Sequence, residues 1–421
     1  MKTGPANQIS VLKLTLHNRL VGYLAGFKNG KNILTFADDF RQDPQRPTLS
    51  LITHPNFPLA EKIMAEPWAR NQRLHPSLSN LLPEGALREL LAQGLNIHID
   101  HEFQLLTYLG TDLPGALIAE PLEPQDVPAS ILRNHGNASA VKLTLPTAQN
   151  KFSLAGVQMK FSMKEQEGRF NLSSHPTLGD WIIKTPSTLH QNVPANEFSA
   201  MTLAASVGIN IPEIRLIQLN QLENLPPINL PDEPLAFAIK RFDRQNNNRI
   251  HMEDFAQVLV KYPHEKYQGG HYGQIGKILY QFSATGLADA QQLARRLLVN
   301  ILLANGDAHL KNWSLLYPDQ INPILSPAYD ILTTSVYMRD EKNIALNLGK
   351  TKAWYRMSFA TFKTWAAQAD LPWRAIKPHL DDVIEQARSQ WPELLTTLPM
   401  NPLHQQQLRQ HWQSLHTDFR I

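Results

Sequence analysis

The sequence predicts an α+β protein with a small β-rich N-terminal unit, a β-rich lobe and a helical lobe. Three observations lead to this expectation. Residues 9–37 resemble short strands joined by turns, residues 152–243 alternate strand-like and helical segments, and the chain beyond residue 251 is mostly helical in its spacing. No repeat of solenoid period is present. We place the domains at 1–125, 126–250 and 251–421.

Composition limits the classes of protein that the chain can represent. Its 421 residues are 43% hydrophobic and 18% charged, which is ample apolar material for more than one core. The net charge of +3 and the lack of a dense basic run permit nucleic-acid binding but do not indicate it. The absence of cysteine excludes disulfides and thiolate catalysis and fits a reducing cytosol. With no signal-peptide pattern and no apolar run of roughly 20 residues, we expect a soluble cytoplasmic protein without membrane contact.

The N-terminal part contains three strand-like runs followed by a helix. The runs are 9–16, 20–26 and 32–37, and a helical pattern at about 84–93 ends at Gly94. Segment 119–130 carries three prolines between periodic regions, and we interpret it as a linker near a domain boundary.

The second part has the order strand, strand, helix, strand. The expected strands are 152–163, 179–187 and 234–243, and the expected helix is 196–208 with Asn196 as its N-cap and Gly208 as its end. Further on, apolar positions 293, 297, 298, 301 and 302 share one face of a long helix, and 313–317 is strand-like.

An aspartate followed five positions later by an asparagine suggests phosphoryl-transfer chemistry. In Asp307–Asn312 this D-x-x-x-x-N spacing would let a carboxylate accept a hydroxyl proton while the amide oxygen reaches a metal ion. Lys311 lies between them and can offset phosphate charge, and Asp330 follows as a second oxygen ligand of the kind magnesium prefers. Taken alone, this spacing is more typical of ordinary loop residues than of catalysis, because aspartate and asparagine both favour turns.

The order of other residues along the chain favours the functional interpretation. A Ser/Gly loop (Ser153, Gly156), a strand lysine (Lys184), a helix glutamate (Glu197) and a hinge-like strand (237–243) precede Asp307, as in protein kinases. Each also has a simpler explanation, because a strand-end lysine, a helix-start glutamate and a surface charge cluster are common. The loop lacks the G-x-G-x-x-G pattern of ordinary protein kinases.

Two other classes of site find no support. The histidines never show HExxH or comparable ligand spacing, so a zinc site is not expected, and His309 is expected to order its loop. No G-x-S-x-G elbow of a serine hydrolase is present.

At these residues the chain resembles the HipA family of bacterial toxin kinases. The matching segments are 153–160 (SLAGVQMK), 181–186 (WIIKTP), 196–198 (NEF), 238–244 (AIKRFDR), 251–255 (HMEDF), 306–312 (GDAHLKN) and 327–330 (PAYD). Residues 81–85 (LLPEG) resemble the family's N-terminal subdomain. The resemblance covers nearly the whole chain and implies a bilobal protein-kinase-like fold, of the HipA and PI3/4-kinase-like kind.

The resemblance also implies roles for individual residues. It makes Asp307 the catalytic base within a loop that includes His309 and Lys311, and it makes Asn312 and Asp330 the magnesium ligands. The implied ATP-binding residues are Ser153, Gly156, Gln158, Lys160, Lys184, Lys240, Arg241 and Phe242. Ser153 would also be an autophosphorylation site that switches the enzyme off. Glu197, Asp243, Glu253 and Asp254 would be structural or pairing residues.

The implied function is a serine/threonine protein kinase that uses ATP and Mg²⁺ to phosphorylate an aminoacyl-tRNA synthetase. The glutamyl enzyme is the expected target, with translation arrest and persistence as the outcome. A HipB-like DNA-binding antitoxin is the expected partner, so that DNA contact is indirect. Two alternatives stay open: a catalytically silent binding module with this fold, and a kinase of a non-protein acceptor.

Overall fold

The computed structural model describes residues 8–139, 158–171, 179–225, 229–246, 248–338 and 340–421. The chain forms two compact units, each made of three segments. The first unit comprises Met1–Phe152, Asp243–Pro263 and Leu316–Asn322, and the second comprises Ser153–Phe242, His264–Leu315 and Pro323–Ile421. Within the described ranges, no helix combines the length and apolar character needed to span a membrane.

The first unit is built on a mainly antiparallel sheet. Its strands lie in the order Trp68–Asn71, Lys31–Phe36, Arg19–Phe27, Gln8–Leu16 and Leu117–Pro121, and the short strand Asn137–Ala138 pairs with Gln8–Leu16 in parallel. The three strand-like runs of the sequence are thereby confirmed.

Alternation along the strand Gln8–Leu16 explains how the sheet is covered on both faces. Leu12, Leu14 and Leu16 enter the main apolar core, whereas Ile9 and Val11 enter a smaller cluster on the opposite face. Helices and short 3-10 turns complete the unit. They are Asp38–Gln42, Leu51–Thr53, Ala60–Ala65, Pro76–Ser79, Gly85–Gly94, Glu102–Leu109, Pro124–Asp126, Ala129–His135 and Phe255–Val258.

The interpretation of 119–130 as a linker is wrong. Its first residues belong to the strand Leu117–Pro121, in which Leu117 pairs with Leu16 and Pro121 with Leu12. The proline is accommodated because it lies in the strand at the edge of the sheet. The remaining strands of the unit are short: Arg244–Gln245, Asn248–Arg249 and His251–Asp254.

The second unit begins with its own sheet. The strand order is Ile214–Gln218, Leu235–Lys240, Trp181–Lys184, Lys160–Gln166, Arg169–Asn171 and Leu222–Glu223. Lys184 pairs with Lys160 on one side and with Phe237 on the other, so the backbones of two candidate ATP-binding residues are neighbours in the central strands.

One helix, Val193–Ser206, packs against this sheet and differs from the prediction at its start. The predicted N-cap at Asn196 is wrong, because the helix begins at Val193 after Asn192, whose φ of 60° is left-handed. Asn196 is instead buried and exchanges two hydrogen bonds with the backbone of Thr333, at 3.1 and 2.9 Å. Gly208 follows the helix with a φ of 78°.

The rest of the second unit is largely helical. Its helices are Tyr272–Phe282, Gly286–Leu302, Phe359–Gln368, Trp373–Thr397 and Pro402–Ser414, with 3-10 turns at Pro263–Glu265, Leu219–Gln221, Leu310–Asn312, Thr334–Val336 and Trp354–Arg356. Short strands occur at Ser314–Tyr317, which begins in this unit, and at Ile324–Leu325, Asn343–Leu348 and Thr351–Ala353. The long helix Gly286–Leu302 packs against Trp373–Thr397 and Tyr272–Phe282.

Candidate active site

The segment that carries Asp307 follows directly from the buried helix Gly286–Leu302. The last carbonyls of a helix lack partners within the helix. Here the His411 ring lies 2.8 Å from the Ile301 carbonyl oxygen, and the Trp412 indole N–H donates to the Leu302 carbonyl at 2.8 Å. The C-terminal helix thus fixes the end of the helix from which the loop leaves.

The loop itself is held by side chains on both sides of Asp307. The Asn305 amide oxygen accepts from the Asp307 backbone N–H at 3.0 Å, and the Thr334 hydroxyl accepts from the Gly306 N–H at 2.7 Å. A Cβ on Gly306 would lie 2.1 Å from a Glu341 carboxylate oxygen, so only glycine fits there without a shift. These contacts give the Asp307 backbone a defined position.

Asn312 has its side-chain amide oriented by the loop. Its Nδ2 donates to the Asp307 backbone carbonyl at 2.7 Å, which leaves Oδ1 as the outward acceptor of the amide. Asn312, Asp330, Asn305 and Tyr329 line one small cavity. The two metal ligands predicted from sequence, Asn312 and Asp330, therefore line the same cavity.

Asp330 is the most strongly constrained acid of the site. Its φ of 54° is left-handed, a conformation that aspartate adopts more readily than most residues. Its carboxylate accepts from the Lys184 ammonium and lies 3.3 Å from the Lys160 ammonium. Burial alone would raise the pKa of Asp330, but the charges of Lys160 and Lys184 outweigh it and hold the pKa well below its usual range. The group stays an ionised oxygen donor.

Lys184 is shared by two acids. Its ammonium, only 5% exposed, donates to Glu197 as well as to Asp330. Burial opposes its charge, but the two carboxylates raise the pKa of Lys184 above its ordinary value, so it remains charged. Burial and the nearby negative charge of Asp330 raise the pKa of Glu197 despite the lysine. The Lys184 ammonium thus attracts both carboxylates and offsets part of their mutual repulsion.

The oxygen atoms of Asn312 and Asp330 and the ammonium groups beside them fit a divalent cation bound together with a phosphate chain. Asn312 and Asp330 supply hard oxygen atoms, the ligands that Mg²⁺ prefers while it keeps several waters. Lys184 and Lys160 already surround a carboxylate and have the charge that phosphate oxygens need.

Three of the predicted ATP-binding residues lie at the end of the strand Leu235–Lys240. Phe242 packs on Tyr329 with ring centroids 5.5 Å apart. Arg241 is buried and donates to the Ser162 hydroxyl at 2.9 Å, and Lys240 is half-exposed with its ammonium 5.8 Å from the Trp181 ring. Their ATP-binding role stays a prediction, since each also has another contact within the second unit.

The described residues include only part of the segment 153–160, which contains the Ser/Gly loop. Ser153 and Gly156 lie outside the described residues, so the expectation for them stays a prediction. Gln158 and Lys160 are described, the latter opening the strand Lys160–Gln166 with a half-exposed side chain. His309 is buried and Lys311 is partly buried in the 3-10 turn after it.

Three residues predicted to be structural or pairing lie in the first unit. Asp243 accepts from the Gly115 N–H at 2.8 Å and from Arg244 at 2.7 Å. Asp254 caps the helix Phe255–Val258 by accepting from the Gln257 N–H at 2.9 Å.

Glu253, the third, is completely buried. It accepts from the Ser50 hydroxyl and the Leu51 N–H, both at 2.7 Å, and from the Tyr317 hydroxyl.

Sequence reasoning missed several residues that contact the loop carrying Asp307. The Tyr267 hydroxyl donates to Asp307, and Glu341 accepts from Thr334 at 2.5 Å. Burial, together with the charge of Asp307, raises the pKa of Glu341. These residues are far from Asp307 in sequence and belong to no spacing pattern, so only their proximity in the fold identifies them.

Comparison with protein families gives two matches. The family described as HipA-like C-terminal domain matches residues 152–391, and the family described as HipA N-terminal domain matches residues 12–120. Together they cover both units of the chain.

Individual relatives extend over most of the chain. "Putative kinase Y4dM" of Sinorhizobium fredii is 38% identical over 93% of this chain and 94% of its own length. "Serine/threonine-protein kinase toxin HipA" of Shewanella oneidensis is 24% identical over 74% of this chain and 73% of its own length.

A solved structure shows the same fold. A chain from the complex of HipA, HipB and operator DNA of Shewanella oneidensis matches with a TM-score of 0.71 at 20% identity, covering 96% of this chain and 97% of that one. The predicted α+β, protein-kinase-like fold is confirmed by this match.

Proposed function

Because the chain belongs to the HipA family, we propose that it is an ATP- and magnesium-dependent serine/threonine protein kinase of the toxin type. The observation that carries the proposal is the meeting of Asn312 and Asp330 at one cavity, with Asp330 held ionised by Lys184. A carboxylate kept charged by lysines beside an oriented amide oxygen supplies what a metal–phosphate group needs.

In this proposal each residue has a defined task. Asp307 accepts the proton of the acceptor hydroxyl, while Asn312 and Asp330 hold the metal ion. Lys184, Lys160 and Lys311 contact phosphate oxygens, and Phe242 borders the adenine. Bound ATP with Mg²⁺ supplies the transferable γ-phosphoryl group, and the residues of the chain orient it and receive the proton.

The direct test is transfer of labelled phosphate from Mg-ATP to the purified chain or to added protein. We expect Asp307→Asn to reduce labelling by at least about 100-fold, since it removes the proton acceptor but keeps the shape. Asp381→Asn is the matched control, because Asp381 is a half-exposed acid that pairs with Lys377. Equal labelling by the Asp307→Asn variant and the parent would contradict the role of Asp307.

A silent binding module is the competing possibility, and nucleotide titration separates it from an enzyme. An enzyme built as proposed binds ATP more tightly when Mg²⁺ is present, and Asp330→Asn weakens that metal dependence. A silent module shows no such dependence. A kinase of a non-protein acceptor would keep the metal dependence but label no protein band in a lysate.

For the protein target we propose an aminoacyl-tRNA synthetase, the glutamyl enzyme first, whose phosphorylation would stop translation and lead to growth arrest or persistence. The support is family membership and the toxin-kinase name of the Shewanella relative. Labelling of a cytoplasmic lysate, followed by mass spectrometry of the labelled bands, tests this directly. Labelled proteins that include no synthetase would contradict the target.

For regulation we propose a HipB-like antitoxin as partner and phosphorylation of Ser153 as an off switch. The structural neighbour comes from a complex that contains HipB and operator DNA, which supports the partner. A phosphoserine at position 153 would add almost two negative charges where ATP phosphates are expected to bind. Ser153→Asp should therefore weaken ATP binding, and unchanged affinity would contradict the switch.

A further inference from the structure

A short turn lies directly against the catalytic loop. The Lys266 carbonyl accepts from the Leu310 N–H at 3.2 Å, and the turn closes through the Glu265 carbonyl, which accepts from Gln268 at 2.9 Å and Gly269 at 2.8 Å. The turn is therefore tied to the same loop that carries Asp307, and the two are expected to keep a fixed geometry.

Tyr267 projects from this turn onto the loop. Its hydroxyl donates a hydrogen bond to Asp307 Oδ1, and its ring meets the His309 ring edge-on with centroids 5.0 Å apart. The residue is nevertheless 41% exposed. A tyrosine this exposed contributes little to the core. Its hydrogen bond to Asp307 therefore indicates its role better than its packing does.

We propose that Tyr267 is a positioning residue for the reaction: it fixes the rotation of the Asp307 carboxylate so that Oδ2 meets the acceptor hydroxyl. This inference rests on the proposed kinase function. The terminal torsion of an aspartate is broad, so a free carboxylate would rotate. A hydrogen bond from a donor anchored to the same loop restricts that rotation, and proton transfer depends on such geometry.

Tyr272 shows what a purely structural tyrosine looks like beside the same loop. It is 1% exposed and its hydroxyl donates to the Ala308 carbonyl at 2.8 Å, a backbone contact that supports the loop. Tyr267 instead donates to the carboxylate expected to take part in the chemistry. The difference in partner and in exposure separates the two roles.

The test is steady-state kinetics of Tyr267→Phe, which removes the hydroxyl and keeps the ring. We expect kcat to fall about tenfold or more, while KM for ATP and the midpoint of thermal unfolding stay unchanged. Tyr280→Phe is the matched control, because Tyr280 is 38% exposed and lies on the nearby helix Tyr272–Phe282. Its kcat should equal that of the parent.

The outcomes distinguish this inference from the proposed function. A parent chain that transfers no phosphate overturns both. If the parent is active and Asp307→Asn is inactive, an unchanged or raised kcat in Tyr267→Phe overturns the role of Tyr267 alone. A fall in kcat accompanied by a lower unfolding midpoint, or phosphate found on Tyr267 itself, also overturns it.

Discussion

Each of the two units holds a carboxylate that is largely shielded from solvent, fully at Glu253 and with 21% of the side chain exposed at Asp330, but the two acids have opposite surroundings. In the first unit, Glu253 accepts hydrogen bonds from neutral donors of Ser50, Leu51 and Tyr317. In the second unit, Asp330 faces the ammonium groups of Lys160 and Lys184. Glu253 is therefore suited to supporting the structure of the first unit, whereas Asp330 is suited to binding a metal ion.

The pKa values move in the directions that these neighbours require. Burial raises the pKa of Glu253 to about 7, because its hydrogen bonds only partly offset the loss of water. The lysines outweigh burial at Asp330 and keep its pKa below the usual range. An acid beside two cations stays ionised and can bind a metal ion, whereas a buried acid whose partners are neutral donors changes its charge near pH 7.

The largest expected effect comes from removing the shared cation with Lys184→Met. Glu197 and Asp330 would then be left without their main counter-charge, so we expect a loss of about 3–5 kcal/mol in the free energy of unfolding. Urea unfolding followed by tryptophan fluorescence measures it, since every tryptophan except Trp68 lies in the second unit.

A half-exposed lysine provides the control for this change. Lys277 pairs with Asp370 at 2.8 Å, and Lys277→Met should cost less than about 1 kcal/mol. Adding Glu197→Gln to Lys184→Met should recover part of the stability. Equal costs for the two lysine variants would show that the buried triad is not stabilised by its charges.

A smaller effect, dependent on pH, is expected from Glu253→Gln. Since the folded pKa of about 7 exceeds the model-peptide value of 4.5, the folded state binds more protons between these values, and stability falls as pH rises through them. Glutamine cannot ionise, so the variant should gain about 2 kcal/mol relative to the parent between pH 5 and pH 8.

Hydrogen exchange of peptides from the first unit measures this difference, with parent and variant compared at each pH. Glu120→Gln is the control, because Glu120 is exposed in the strand Leu117–Pro121. A difference between Glu253→Gln and the parent that does not change with pH would show that Glu253 is ionised in the folded protein, as Asp330 is.

The sequence predicts local features better than it predicts which distant residues meet. The strand Gln8–Leu16 and the buried face of Gly286–Leu302 follow from periodicity, which depends only on neighbouring residues. The proline-rich segment after Leu117 was misread because prolines suggest a linker, whereas pairing with Leu12–Leu16 decides its structure.

Within the site, the spacing of Asp307 and Asn312 was visible because both lie in one loop. The contact of Lys184 with Asp330 spans 146 positions, and no spacing pattern joins the two residues; only the kinase-like order of residues and the resemblance to a family assign them to one site. Tyr267 could not be found at all, because a tyrosine 40 positions before Asp307 has no pattern that marks it. Long-range proximity is a property of the fold.

The smallest effect on stability is expected from Lys160→Met. Lys160 lies 3.3 Å from Asp330 with its side chain 49% exposed, so solvent screens the pair and Lys184 still neutralises the acid. We expect a cost below about 1 kcal/mol in the free energy of unfolding.

Lys164→Met is a matched control on the same strand, since Lys164 lies 3.3 Å from Asp180 and is 34% exposed. Only Lys160→Met should weaken ATP binding in a nucleotide titration, because only Lys160 lies beside Asp330. Equal ATP affinities in the two variants would show that Lys160 pairs with Asp330 but does not contribute to ATP binding. Lys184 would then be the cation that distinguishes Asp330 from Glu253.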